Sequence, residues 1–423
     1  MKKESSGFAL IIVLSAIALL TALISDFTIE MWINKLKARN TQDRTQARLN
    51  AESGLKIAVA RLRIYKEAYN LIQKNENLKK NVPINILDEL WNFPFIYPLP
   101  VLPEMNVLQR TALEEFKKSA ILPGEIQLNI SNISGRLNLN LLRAFPKAPD
   151  ENNPPNPNEP SLEQEFTTLL NYALEKRKSE SEEFNDKYVS LSAETLIGRL
   201  KYFISENDSY DDASKAEAMS IFSQKNITPK YGPLTSFSEL SLIPGWDDEI
   251  IELIENDFTI HSYNIIEINK LTMNLLSMIF PKLNEEQKKA FFKYRDDEED
   301  PHTVSTPEDL KAYFVELERL IPEDEFNLRF KTLEDLGIQF ENTGSLFKVV
   351  STGNYHRASY TLTAYILLPV TLPPKSAPPP APTNSTSQNN PSNTTPPTPP
   401  PPPEPKKEPT ILGEPRIREV IIS

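Results

Sequence analysis

Few side chains in this 423-residue chain are equipped for covalent chemistry, and their spacing does not assemble them. There is no cysteine, so neither a disulfide framework nor a thiolate metal site exists. The three histidines, His261, His302 and His356, are scattered, without zinc-site spacing and without a recognisable nucleophile motif. Eleven glycines include no phosphate-cradling loop, and the many carboxylates never recur as a paired motif. The chain therefore does not read as an enzyme, and no cofactor is required. One peptide bond does stand out. A short polar leader with Lys2 and Lys3 ends at Gly7, and an apolar run from Phe8 to Ile24 follows, stopped by Asp26. An ordinary secretory signal is cut after its apolar core, at a small-x-small site. Here the cut falls before the core, between Gly7 and Phe8, so the apolar segment stays in the mature chain.

The apolar run must be placed in a membrane. Phe8–Ile24 is near the short limit for a bilayer-spanning helix, and Phe27, Ile29, Met31, Trp32 and Ile33 extend its apolar character, with Trp32 placed for the outer interface. Lys2 and Lys3 ahead of the span favour a cytoplasmic N-terminus, which puts the bulk of the chain outside the cytoplasm. The net charge of −12 argues against nucleic acid as the main partner, since phosphate binding needs a basic face.

Helical text continues past the span. Leu55, Ala58, Leu62, Tyr65, Tyr69 and Ile72 recur three and four apart, an apolar stripe for packing on a sheet, interleaved with Ala47, Ala51, Glu52 and Gly54. This predicts one helix from Phe8 to about Gln73, its first part in the membrane; a break near Asn40–Asp43 is the alternative. Strand-like alternation follows at Glu125–Ile130 and Arg136–Leu142, and Ser134–Gly135 between them predicts a hairpin, with Asn138 and Asn140 capping a helix from Leu141. After a Pro- and Asn-rich linker at 145–160, helical text runs from Ser161 to about Leu320. Two stretches in it read as helix–hairpin–helix units. One turns at Pro244–Gly245 with Asp247 as a cap; the other spans Leu276–Arg295, with a further helix start at Thr306–Pro307. A weak echo of the Arg136–Leu142 segment recurs at Glu267–Leu276, with a strand over Phe258–Ile268.

Strands return at Ser345–Asn354 and Arg357–Leu368, joined by the turn Gly353–His356. Residues 373–409, rich in Pro, Ser, Thr and Asn, read as an extended linker. The last segment, Arg416–Ser423, is strand-like again and can return to an open edge of its own sheet or pair with a partner's edge. The chain thus divides into a leader (1–7), a long helix (8–80, spanning the membrane at 8–27), a first β region (81–144), a helical insert (145–340), a second β region (341–372), a Pro-rich linker (373–410) and a terminal strand (411–423).

The polar leader cut at Gly7–Phe8 ahead of a retained apolar helix resembles the class III signal of type IV pilins and type II secretion pseudopilins. Most of these carry Glu at the fifth position after the cut; this chain has Ile12. With Ser134–Asn140, the large insert, Ser236–Gly245, Ile266–Asn269 and closing strands from Phe347, the order of motifs resembles the K-type minor pseudopilin (general secretion pathway protein K) along nearly the whole chain. The resemblance implies an α+β, pilin-like fold: a long N-terminal helix on a small antiparallel sheet, with an α-helical domain inserted between strands. It implies a place in the tip complex of the periplasmic pseudopilus with the I- and J-type minor pseudopilins, above the major pseudopilin. A prepilin peptidase would cut and methylate at Phe8, and the chain would be anchored in the inner membrane. Ile12 fits a subunit that needs no neighbour to neutralise a buried carboxylate. Contact with secreted cargo is left open.

Some relatives bind calcium in the insert. Glu206, Asp208, Asp211 and Asp212 can supply some of the oxygens calcium needs, and a solvated acidic loop is the plainer reading. The sequence departs from the family in having Asn132 where Asp is usual and in lacking the insert's Asp-Trp-Ile-Asp-like segment. A minor pilin of a type IV pilus or competence system is the close rival. A DNA-binding role for the hairpins is disfavoured, because Asp247, Asp248 and Glu249 follow the Pro244–Gly245 turn and would repel phosphate.

Overall fold

The computed structural model describes residues 5–82, 84–98, 108, 110–112, 114–115, 122–144, 160–210, 213–262, 265–297, 304, 306–371 and 410–422. Its N-terminal helix, α1 (Ser5–Lys74), runs without a break through Asn40–Asp43. At a rise of 1.5 Å per residue it is about 105 Å long. Thr21 and Thr28 send their hydroxyls back to the carbonyls of Ile17 and Ile24, which satisfies them inside an apolar helix. The helix changes character along its length. From Phe8 to Leu36 its apolar side chains are exposed, whereas Ala47, Ala51, Ala58, Leu62, Tyr65, Tyr69 and Ile72 are buried.

The strands are β1 (Phe95–Tyr97), β2 (Glu125–Asn132), β3 (Leu137–Asn138), β4 (Phe258–Thr259), β5 (Ile265–Glu267), β6 (Gln339–Glu341), β7 (Leu346–Tyr355), β8 (Ala358–Leu367), β9 (Val370–Thr371), β10 (Ile411–Leu412) and β11 (Arg416–Ile422). Five form an antiparallel sheet in the order β1-β2-β7-β8-β11. Alternate residues of its strands (Ile126, Leu128 and Ile130; Phe347 and Val349; Ala364 and Ile366) are buried, as expected for a sheet with one covered face. Phe347 sits edge-on between Tyr65 of α1 and Trp91.

Small residues bring α1 and the sheet close. A Cβ on Gly54 would lie 2.1 Å from Ser351 Oγ, and one on Gly353 would lie 2.1 Å from the Ala47 carbonyl. Ser351 donates its hydroxyl to the Ala51 carbonyl at 2.8 Å, and Asn50 donates to the carbonyls of Pro123 and Asn354.

The helical region is inserted between β2 and β7 and has its own core. Its helices include Leu162–Glu180, Ala193–Ile204, Asp248–Ile254, Met273–Ile279, Glu285–Arg295 and Glu323–Asp335. Two parallel strand pairs, β3 with β4 and β5 with β6, form the seam.

Four local expectations are corrected. There is no hairpin about Ser134–Gly135: β2 pairs with β1 and β7, and β3 goes to β4 instead. Leu137, Leu139 and Leu142 are the reason, because they are buried in the helical core and pull the chain away from the sheet after Ser134. The helix expected from Leu141 is a 3-10 turn over Leu139–Leu142, capped by the Asn138 side chain. The strand expected over Phe258–Ile268 is split into β4 and β5, each with its own partner. The β7–β8 turn is tighter than expected: Tyr355 still pairs with Ala358, leaving His356 and Arg357 as the turn, with His356 at φ 50°.

Candidate functional site: an uncovered apolar helix and a braced insert

The first candidate surface is the exposed part of α1. Gly7 and Phe8 lie within the helix near its start, and Ile12 is 54 % exposed among Leu10, Ile11, Val13 and Leu14. A continuous apolar surface of this length belongs in lipid or against like helices. Lys2 and Lys3 lie outside the described residues.

The second feature is the joint that seats the insert. Ser134 is fully buried, and its hydroxyl accepts from the backbone N–H groups of Ser345 and Leu346 at 2.7 and 2.9 Å while donating to Asn132 Oδ1 at 2.6 Å. The Asn132 amide donates to Glu267 Oε2 at 2.5 Å, tying β2 to β5. Burial pushes the Glu267 carboxyl up to about 7, with the Asn132 bond and Lys270 opposing. Asp257 braces the next turn, accepting from Thr272 Oγ1 and, at 2.6 Å, from Asn274 Nδ2; burial raises its pKa as well. Asn140 brackets Leu234, donating to its carbonyl at 3.0 Å and accepting from its N–H at 2.6 Å. Asn138 and Asn140 thus serve structure, as expected, with partners distant in sequence. Glu267, Asn132 and Ser134 gave no sequence signal of this joint beyond the family departure at Asn132.

In the first hairpin unit the turn and the cap form as read, and the arm before the turn is a 3-10 helix, Phe237–Leu242. Gly245 takes φ 94°, Asp247 caps the helix Asp248–Ile254 by accepting from the Ile250 N–H, and Trp246 donates its indole N–H to the Leu196 carbonyl at 3.0 Å. Its acidic residues are held by Lys187, 2.6 Å from Glu249, and by Tyr188, which donates to Asp247 at 2.5 Å. The turn therefore presents carboxylates, which repel phosphate. In the second unit Asn284 and Thr306 cap their helices with full capping boxes.

Two of the four acidic residues of the loop are described. Glu206 pairs with Arg143 at 3.1 Å, and Asp208 lies 3.8 Å from Lys215. Asp211 and Asp212 lie outside the described residues. The histidines are separate: His261 bonds Glu419 at 2.9 Å, His356 bonds Asp43 at 3.1 Å, and His302 lies outside the described residues.

No family model and no curated protein matches the chain. Among solved structures it is similar to a chain of the GspK–GspI–GspJ complex from the enterotoxigenic Escherichia coli type 2 secretion system. The two are 17 % identical; the match covers 78 % of this chain and 94 % of that chain, with a TM-score of 0.47. The architecture above stands on its own ladders and core contacts, without help from that likeness.

The insert also holds a cavity of about 520 Å3 walled by Phe280, Ile321, Leu328 and Arg329. The Arg329 guanidinium is committed there to the Glu165 carboxylate at 2.5 and 2.6 Å and to the carbonyls of Met278 and Ile279.

Proposed function

We propose that this chain is a K-type minor pseudopilin of a type II protein secretion system, a structural subunit of the pseudopilus tip. The observation that carries the reading is α1: one helix whose apolar first part is uncovered while its second part is sealed on a sheet through Gly54 and Gly353. Such a helix can anchor in the inner membrane and later pack among like helices, with the folded bulk in the periplasm. Ile12 adds the position. A carboxylate there would be costly in an apolar filament without a neighbour's amine, and this chain has none to neutralise. The insert gives the subunit a second core outside the sheet, a bulk that suits the end of a filament better than its shaft. In this reading the partners are a prepilin peptidase, the I- and J-type minor pseudopilins and the major pseudopilin, and secreted cargo can meet the insert.

The test is an intact mass and N-terminal peptide map after coexpression with a prepilin peptidase. The expected product starts at N-methylated Phe8 and lacks residues 1–7. An uncut chain refutes the reading and leaves a plain membrane anchor.

A further inference from the structure

The C-terminal segment is bound to the sheet in the manner of a ligand. Thr371 pairs with Ile411 in the β9–β10 ladder, so the residues flanking 372–410 lie side by side. Beyond it, Asn70 of α1 reads one backbone residue at both ends, donating to the Leu412 carbonyl and accepting from the Leu412 N–H, each at 2.8 Å. The Leu412 side chain enters the core between α1 and the sheet and is only 3 % exposed. Gly413 donates its N–H to the Pro369 carbonyl at 2.6 Å. Glu414 pairs with Lys66 at 2.6 Å and with Arg63 at 3.3 Å. β11 then runs along the β8 edge with a register shift between Ile417 and Glu419, and Glu419 meets His261 of the insert.

The burial is as telling as the contacts. The framework strands β2 and β8 bury three and four residues. β11 buries none: Ile417, Val420 and Ile422 remain 48, 43 and 61 % exposed. Recognition therefore rests on one anchoring leucine, a backbone ladder and point contacts, which is how strand-addition sites hold extended peptides.

We propose that the β8 edge, with Asn70, Lys66, Arg63 and His261, is a binding site for an extended peptide of the form Leu-Gly-Glu followed by a β-strand, and that residues 411–422 are its tethered, exchangeable occupant. The tether keeps the occupant at high local concentration, so the site is filled in the free chain although each contact is modest. The inference is independent of the pseudopilin reading and holds whatever assembly the chain enters.

The experiment uses the full chain in detergent, with a protease recognition sequence inserted at residues 385–395, and a fluorescent synthetic peptide covering residues 409–423. After cleavage the peptide is expected to bind saturably and to displace the native fragment. On the uncut chain its apparent affinity is expected to be at least tenfold weaker, because the tethered strand competes. Peptides carrying Leu412→Ala should bind at least tenfold more weakly to the cut chain and those carrying Glu414→Ala about two- to fivefold more weakly, and the Asn70→Ala chain should lose the peptide while keeping its thermal transition. If the cut fragment never exchanges, or if its departure unfolds the sheet, the segment is a framework strand and the proposal is wrong. Equal binding of the wild-type, Leu412→Ala and Glu414→Ala peptides also overturns it.

Discussion

Glu267 sits inside the joint between sheet and insert, where burial lifts its carboxyl from an ordinary 4.5 to about 7. Below pH 4.5 the group is neutral whether the chain is folded or not. Between 4.5 and 7 the unfolded chain releases the proton while the folded chain holds it, so stability falls as pH rises. Above 7 the penalty is fully present, at most roughly 3 kcal/mol for a shift of this size. Glu267→Gln keeps an acceptor for the Asn132 amide and removes the charge. Thermal melts should show the variant equal to or below the parent near pH 5 and above it at pH 8; parallel melting curves across that range would contradict the assignment. His261 works in the opposite direction. Burial lowers its pKa despite Glu419, so its contribution is present above the ordinary value of 6.5 and is lost as pH falls through the folded value. Sequence reading handled the residues whose partners are local, such as Asp247 capping its own helix and Thr306 at a helix start. It missed Glu267, because nothing near it in the chain says that it will be buried beside Asn132.

Between elements, two contacts decide the packing. Gly54 faces Ser351 Oγ and Ile126, so Gly54→Ala must push β2 and β7 away from α1. Overpacking of this kind costs about 1–3 kcal/mol. Ser351→Gly in the same chain should recover part of the loss, but not all, because Ile126 still clashes and the bond to the Ala51 carbonyl is gone. Urea melts of the two single variants and the double variant measure this coupling. In the insert, Arg329 of the helix Glu323–Asp335 neutralises Glu165 of the helix Leu162–Glu180, whose side chain is almost fully buried. Arg329→Met strands that carboxylate and should cost about 3–5 kcal/mol, whereas adding Glu165→Leu should restore much of the stability. A double variant as unstable as Arg329→Met would show that packing, not charge, sets the loss. The helical stripe of α1 was readable from its spacing. The partner of β3 was not, because a two-residue strand carries no periodicity and its pairing depends on where Leu137, Leu139 and Leu142 find a core.

As a whole, the molecule joins two cores, one of α1 on the sheet and one inside the insert. Its net charge of −12 and the carboxylates at the Pro244–Gly245 hairpin predict no retarded band with duplex DNA at physiological salt. A retarded band that weakens with added salt would revive the DNA-binding reading. The pseudopilin reading predicts that the processed chain elutes as a stoichiometric complex with I- and J-type partners. Ile12→Glu, which adds a carboxylate to the apolar helix, should reduce membrane stability or assembly rather than improve it; unchanged secretion would remove the weight placed on this position.

The amino-acid sequence alone determined what depends on neighbours along the chain: the long helix from its apolar spacing, the Pro244–Gly245 turn with its Asp247 cap, and the long sheet strands from their alternation. These signals are local, because one or two turns of backbone suffice to satisfy them. Only the tertiary structure decided that the chain leaves the sheet after Ser134 for the insert, that Glu267 is buried, that Glu206 faces Arg143 and Asp208 faces Lys215, and that the last strand joins its own sheet. Each of those depends on which distant surface supplies the missing hydrogen bonds or the missing core, and an edge or a buried carboxylate has no such partner within its own segment.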